Sequence, residues 1–324
     1  MSARRQFLLG ATAILTCGAM RAVAQGRPPR KIALLMPTSA DPHFWNALKQ
    51  GLTALGYMEG RDIVYESRSA EGQFERLPAL AEELVRTRPD VIVSAATPGV
   101  KAAQAATKTI PIVIATAGDP VNTGVVASLS RPGGNVTGVS NRAGEVGPKL
   151  VELARSTLPK LSRIAVLANP TNMVSAQGRM TVDAAKKMGA TVLELRAQAP
   201  AEIDAAFATA AKERSDAMII LSDPFLASQR ENIGSLARAQ RVPVFTQQHE
   251  LARAGALLSY GTDYAEHFRR SAYFVDRILK GAKPGDLPIE QAATFALVVN
   301  RKTAAALGIK IPADILVRAT EVIE

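Results

Sequence analysis

A doubly wound α/β fold built as two lobes is predicted by three features of the sequence. From Lys31 onward, short apolar runs rich in β-branched residues alternate with amphipathic helical patterns. The strand-like runs are continuously apolar rather than alternating, as in parallel sheets covered by helices on both faces. About ten such runs occur in 324 residues, more than one hydrophobic core accommodates, so two sheets side by side are expected. With 47 % apolar and 21 % charged residues the chain has a globular composition, which excludes collagen, coiled coil and disorder. The single cysteine, Cys17, excludes a disulfide framework and a thiolate-rich zinc site.

The first segment reads as an export signal rather than as part of the fold. Arg4 and Arg5 precede an apolar run from Phe7 to Met20, and Ala22-Val23-Ala24 forms a small-residue cleavage site before Gln25. That run is shorter than the roughly 20 residues that span a bilayer as a helix. Ala3-Arg4-Arg5-Gln6-Phe7-Leu8 resembles a twin-arginine signal, and an ordinary secretory head fits as well. A lipid anchor on Cys17 fits less well, because Thr16 precedes it and a better cleavage site lies downstream. A periplasmic location is expected, with residues 1–24 removed. The remaining 300 residues would lack cysteine, which suits an oxidising compartment, and the net charge would fall from +10 to +7.

The strands expected in the first half are Ile32–Met36, Ile63–Glu66, Val91–Ser94 and Ile112–Ala115, with Val136–Ser140 carrying the chain across to the second lobe. Those in the second half are Ile164–Ala168, Val192–Leu195, Ala217–Leu221, Val242–Phe245, Leu257–Tyr260 and Phe295–Val299. Helical patterns cover Phe44–Leu55, Phe74–Arg86, Val174–Met188 and Tyr264–Leu279. The Gly/Pro cluster Arg131-Pro132-Gly133-Gly134-Asn135 marks the lobe boundary, and Gly281-Ala282-Lys283-Pro284-Gly285 a second break.

In open α/β sheets ligands bind beyond the carboxyl ends of the strands, and those positions here are small and polar. They include Ser39 and Asp41 after the first strand, Thr97-Pro98-Gly99 after the third, and Asp119-Pro120 after the fourth. In the second half they include Asn169-Pro170, Asp223-Pro224 and Thr246-Gln247-Gln248. Thr97-Pro98-Gly99 reads as an N-cap followed by proline, a helix end able to hold a carboxylate, and equally as a plain cap. Asp119 and Asp223, one per half, suit either an amine ligand or ordinary capping. Phe44 and Trp45 read as a stacking wall or as core packing, and the Tyr260 phenol as a group reaching into a cleft.

The sequence carries no recognisable catalytic motif. The three histidines, His43, His249 and His267, form no His-Glu-x-x-His motif, since Leu251-Ala252-Arg253 follows Glu250. No nucleophile elbow, phosphate loop or dinucleotide turn occurs, and no cofactor or metal is expected. The basic residues are scattered over helix faces such as Lys186-Lys187 and Arg269-Arg270, not gathered for nucleic acid.

Several runs between Lys31 and Glu324 resemble the ABC-transporter substrate-binding proteins of type-I periplasmic-binding-protein fold, in the branch that includes aromatic amino-acid binders. They are Gly51–Gly60, Arg68 with Ala70-Glu71-Gly72, Ala106–Val113, Gly118–Val121 and Ser128–Gly138. Later ones are Ser259-Tyr260-Gly261, Ile278–Pro284, Leu287-Pro288 and Leu307–Ile323. The resemblance implies two lobes joined by three hinge crossings, 30–141 with 256–283 and 142–255 with 284–324. It also implies a ligand between the lobes and a membrane permease as partner. The contacts carried over are Ser39, Thr97 and Asp119 from one lobe and Asn169 and Asp223 from the other, and Tyr260 joins the expected ligand contacts from its strand-end position alone. The expected protein is a monomeric exported receptor closing on a small organic ligand, an amino acid or related carboxylate. An envelope α/β enzyme acting on a small metabolite is the alternative. A DNA-linked sensor would need a headpiece where the export signal lies.

Overall fold

The computed structural model of the chain describes residues 28–38, 42–170 and 175–324, so the export signal, Cys17 and Ser39 lie outside the described residues. The first lobe runs β1 (Arg30–Met36), α1 (Pro42–Ala54), β2 (Ile63–Ser69), α2 (Leu77–Arg86), β3 (Val91–Ala95), α3 (Ala96–Ala106), β4 (Ile112–Ala117) and β5 (Val136–Ser140). The chain then crosses into α4 (Ala143–Thr157), β6 (Arg163–Ala168), α5 (Ser175–Lys187), β7 (Thr191–Arg196) and α6 (Pro200–Lys212). It continues through β8 (Ala217–Ile220), α7 (Pro224–Ser228), α8 (Arg230–Ala239), β9 (Val244–Thr246), α9 (His249–Ala254) and β10 (Leu258–Gly261). It returns through α10 (Tyr264–Leu279) and β11 (Glu290–Gln291), and ends with β12 (Ala296–Asn300), α11 (Arg301–Leu307), α12 (Ala313–Arg318) and β13 (Glu321–Ile323).

The two sheets have the orders β11-β5-β4-β3-β1-β2 and β13-β12-β10-β9-β8-β6-β7. Each therefore reverses strand order once, between β1 and β3 in the first and between β6 and β8 in the second. Those reversals are where adjacent connections diverge to opposite faces and leave a crevice at the carboxyl ends. Both sheets carry apolar cores on both faces, as their fully apolar strands demand: Ile32, Leu34 and Val93 face one way, Ala33, Leu35 and Ile92 the other. All ladders are parallel except β10 with β12, which is antiparallel.

Sheet membership corrects the expected boundaries at two points. The strand Leu258–Gly261 belongs to the second sheet, not to a first-lobe stretch 256–283, because it pairs with β9 and β12. Conversely, Glu290–Gln291 pairs with β5 in the first sheet, so that lobe extends past 283. This two-residue strand is polar and lies at a sheet edge, and it has no hydrophobic signature. The crossings are thus β5 to α4, β10 to α10, and β11 to β12. Helix α10 returns to the first lobe on α1, where the contact is close. A Cβ on Gly51 would lie 2.7 Å from the Arg269 carbonyl oxygen and 2.8 Å from Ala272 Cβ. Among the described residues no helix is long and apolar enough to cross a membrane.

Candidate functional site

A cleft of about 350 Å³ opens where the carboxyl ends of the two sheets face each other. The first lobe contributes Met36 at the end of β1 with Pro37 and Thr38 beyond it, Ala95 to Thr97 at the β3–α3 junction, and Thr116 to Gly118 at the end of β4. Phe44 from α1 and Tyr264 and Phe268 from α10 complete that wall. Phe44 stacks on Phe268 with ring centroids 5.4 Å apart and lies 6.3 Å from the Tyr264 ring, so three aromatic side chains form one surface.

The second lobe presents a different wall: Gln177, Ser222, Arg230, Gln248 and Glu250. Short helix α7 lines the cleft with Pro224, Ala227 and Ser228, while its Phe225 and Leu226 are buried in the second-lobe core. Gln177 and Gln248 are buried, and each leaves its amide oxygen without a hydrogen-bond partner, as does the Thr116 hydroxyl. Gln177 Nε2 donates to Gln247 Oε1 at 2.6 Å, and Gln248 Nε2 to the Asp223 carbonyl oxygen at 3.4 Å. A buried polar atom without a partner costs free energy, so the site carries polar capacity that its own residues leave unused.

One hydrogen-bonded group joins the walls at the floor. The Tyr264 hydroxyl lies 2.8 Å from Ser222 Oγ and accepts from Asn141 Nδ2 at 3.4 Å, linking α10, the end of β8 and the first crossing. Burial pushes its pKa up to about 12, so it stays a neutral phenol at physiological pH.

The six residues expected at the site separate. Thr97 lines the cleft, but the N-cap position is Ala95. Thr97 sits inside the first turn of α3, and its hydroxyl donates to the Gly118 carbonyl oxygen at 3.5 Å. Asp119 is not a cleft-lining residue. It holds the turn after β4, accepting from the Asn122 amide at 3.1 Å and from the Asn122 side chain, while the preceding Gly118 lines the cleft.

Asp223 caps α7 by accepting from Leu226 N at 2.9 Å, and Asn169 Nδ2 donates to the same oxygen at 3.2 Å. Both residues border a separate cavity of about 500 Å³ in the second lobe, with Arg179, Lys186 and Arg196 on its wall. Tyr260 lies on β10 against the second-lobe core, stacked on Phe295 at 5.5 Å, with the Arg142 guanidinium 5.9 Å from the Phe295 ring. Ser39 falls outside the described residues.

Of the aromatic pair, Phe44 joins the cleft. Trp45 turns away onto Tyr65 at 4.7 Å, with Lys49 Nζ 4.9 Å from its ring centroid. The cleft residues without a sequence signal are Arg230, Glu250 and Tyr264. Gln248 does stand at a polar strand end, and Glu250 follows it by two residues at the start of α9.

The comparisons with known proteins agree with this architecture. A family model described as ABC transporter substrate binding protein matches residues 31–323. A tyrosine-binding protein of Clostridioides difficile is 28 % identical over 261 residues, covering 80 % of this chain and 75 % of that protein. Among solved structures, a conserved domain protein of Vibrio cholerae superposes with a TM-score of 0.83 at 34 % identity, covering 91 % of this chain and all of that one. A Streptococcus pneumoniae domain in complex with L-Trp gives 0.84 at 28 % identity, over 91 % of this chain and 100 % of that one. A ligand-free, open substrate-binding protein with adhesive properties from Clostridium difficile gives 0.63 at 25 % identity, over 91 % and 99 %. With its family model matched from the first strand to the last, and its two sheets enclosing one cleft, this chain belongs to the ABC transporter substrate-binding proteins.

Proposed function

We propose that the protein is an exported receptor for an aromatic α-amino acid, which it presents to a membrane permease. The observation that carries this reading is the asymmetry of the cleft. Phe44, Tyr264 and Phe268 line it from the first lobe, and Arg230 and Glu250 line it from the second. An α-amino acid carries a carboxylate and an ammonium on one carbon and its side chain beyond. Arg230 suits the carboxylate through its guanidinium fork, and Glu250 suits the ammonium. The ring then stacks on Phe44 and Phe268. This assigns to Arg230 and Glu250 the roles expected of the α3 helix end and of Asp119 or Asp223. Support for the ligand class comes from the tyrosine-binding relative and from the neighbour complexed with L-Trp. Export rests on the basic head, apolar run and cleavage site of residues 1–24.

Isothermal titration of the purified chain with L-Trp, L-Tyr and L-Phe tests the reading, with the corresponding amines and amides as controls. The amino acids bind, and removal of either charged group abolishes measurable heat. In a thermal-shift assay the ligand stabilises by about 2.7 kcal/mol at a hundredfold excess over Kd. Binding of a sugar, or equal binding of the free amines, contradicts the assignment. Turnover chemistry finds no support in the buried pair formed by His249 Nδ1 and Ser259 Oγ, 2.8 Å apart. Ser259 is fully buried and does not line the cleft, so it is closed to a substrate there.

A further inference from the structure

The first lobe touches the second at a place away from the cleft lining. The short helical turn Phe74–Arg76 follows a loop in which Glu71 and Gly72 both adopt positive φ, at 53° and 82°. This loop turns the chain outward after β2. Phe74 is packed against two hydrophobic clusters at once. One is the first-lobe core of Leu77, Leu80 and Val100, and the other the second-lobe core that holds Phe225 and Leu226. Beside it the backbone of Gly72 approaches the same second-lobe residue: a Cβ there would lie 3.8 Å from Phe225 Cδ2. Phe225 sits on α7, the helix whose other residues, Pro224, Ala227 and Ser228, line the cleft. Neither Phe74 nor Phe225 lines it.

We infer that Phe74 is an affinity-setting latch: it stabilises the closed arrangement of the lobes by seating in the second-lobe core beside Phe225, and so strengthens binding of every ligand without touching any. Parting the lobes exposes the half-buried ring to water, so the contact favours the arrangement in which the two cores meet. The apparent affinity of a receptor scales with the fraction of molecules in the binding-competent state, and a latch raises that fraction. Because it acts before and apart from ligand contacts, its removal lowers all affinities by one common factor. A residue of the cleft wall changes them unequally.

The test uses the full chain with Phe74→Ala, Phe74→Leu and Gly72→Asn. Phe74→Ala is expected to weaken L-Trp, L-Tyr and L-Phe by the same factor, about tenfold (about 1.4 kcal/mol), through faster dissociation. Phe74→Leu restores most of the loss, because an apolar side chain still fills the seat. Gly72→Asn keeps a residue that tolerates left-handed backbone and sets a polar side chain against Phe225, leaving the first-lobe core intact. It shows the same direction with a smaller factor, and it decides the matter alone if Phe74→Ala fails to fold. Small-angle scattering of the ligand-free proteins shows a larger radius of gyration in both weakened variants than in the parent. That arm holds even if none of the three amino acids is the ligand, which separates this inference from the ligand assignment. Unchanged scattering and unchanged dissociation in Gly72→Asn overturn the latch. So does a loss that differs more than about threefold between ligands, since the latch requires a common factor.

Discussion

The two walls of the cleft are made alike and finished differently. Each is the carboxyl edge of a parallel sheet at its strand-order reversal. The first lobe then covers that edge with rings from α1 and α10, whereas the second covers it with amides, a hydroxyl, Arg230 and Glu250. The apolar wall depends on a helix borrowed late in the chain: α10 follows the second-sheet strand β10 yet packs back onto α1, bringing Phe268 under Phe44. The polar wall comes from one sheet alone, with Gln177 on α5 after β6, Ser222 and Arg230 after β8, and Gln248 and Glu250 after β9. The difference implies a ligand with two unlike ends, and a division of labour in which one lobe reads charge and the other reads shape.

The sharpest way to break this division is to neutralise the charged wall. Arg230→Ala or Glu250→Gln is expected to weaken an aromatic amino acid by about 10–150-fold by calorimetry, the worth of a hydrogen bond to a charged partner. Loss for one amino acid with retention for another would show that these residues read the side chain instead. On the apolar wall, Phe44→Ala removes a stacking partner worth about 0.5–1.5 kcal/mol. Affinity for L-Trp then falls up to about tenfold, while that for small aliphatic ligands changes less. Tyr264→Phe, at the seam between walls, deletes the hydrogen bond to Ser222, worth about 1 kcal/mol, and the longer one from Asn141, and costs about fivefold in Kd.

Acid affects both lobes in the same direction. His267 on α10 is held by burial at a pKa of about 4, and burial, reinforced by Arg253, also lowers that of His249. The unfolded chain takes up protons near the ordinary value of 6.5, and the folded chain does so only lower. Stability is therefore complete above pH 6.5 and declines as pH falls from there toward 4, which thermal melts at pH 7 and pH 5 measure. His267→Gln flattens that slope. The smallest effects are expected at residues that neither line the cleft nor pack between the two cores. Asp119→Asn and Trp45→Phe leave Kd within about twofold, as surface and satellite changes usually do.

Much of this fold is legible in the sequence because parallel strands announce themselves as continuous apolar runs. The helix Tyr264–Leu279 is likewise readable from its periodicity. The two-residue strand Glu290–Gln291 carries no such signal, since edge pairing uses backbone groups that any residue supplies. At the site, the rule that ligands sit beyond strand ends points to Thr97 and Gln248, and both line the cleft, as does Phe44, which its ring singles out. It misplaced Asp119, whose carboxylate holds a turn one residue beyond the lining Gly118. Tyr260 lies off the cleft lining because side-chain direction along a strand is set by register: its ring stacks on Phe295 against the second-lobe core. Arg230 and Glu250 reach the cleft from helix starts brought together by the packing of α8 and α9, a long-range fact that no local pattern records.

One titration tests the two-ended cleft: L-Trp or L-Tyr against the purified chain, set beside its decarboxylated amine and its carboxamide. The two-ended cleft predicts that the amino acid binds and that neither the amine nor the amide produces measurable heat. Binding of all three with similar affinity, or of none while a sugar binds, would contradict it.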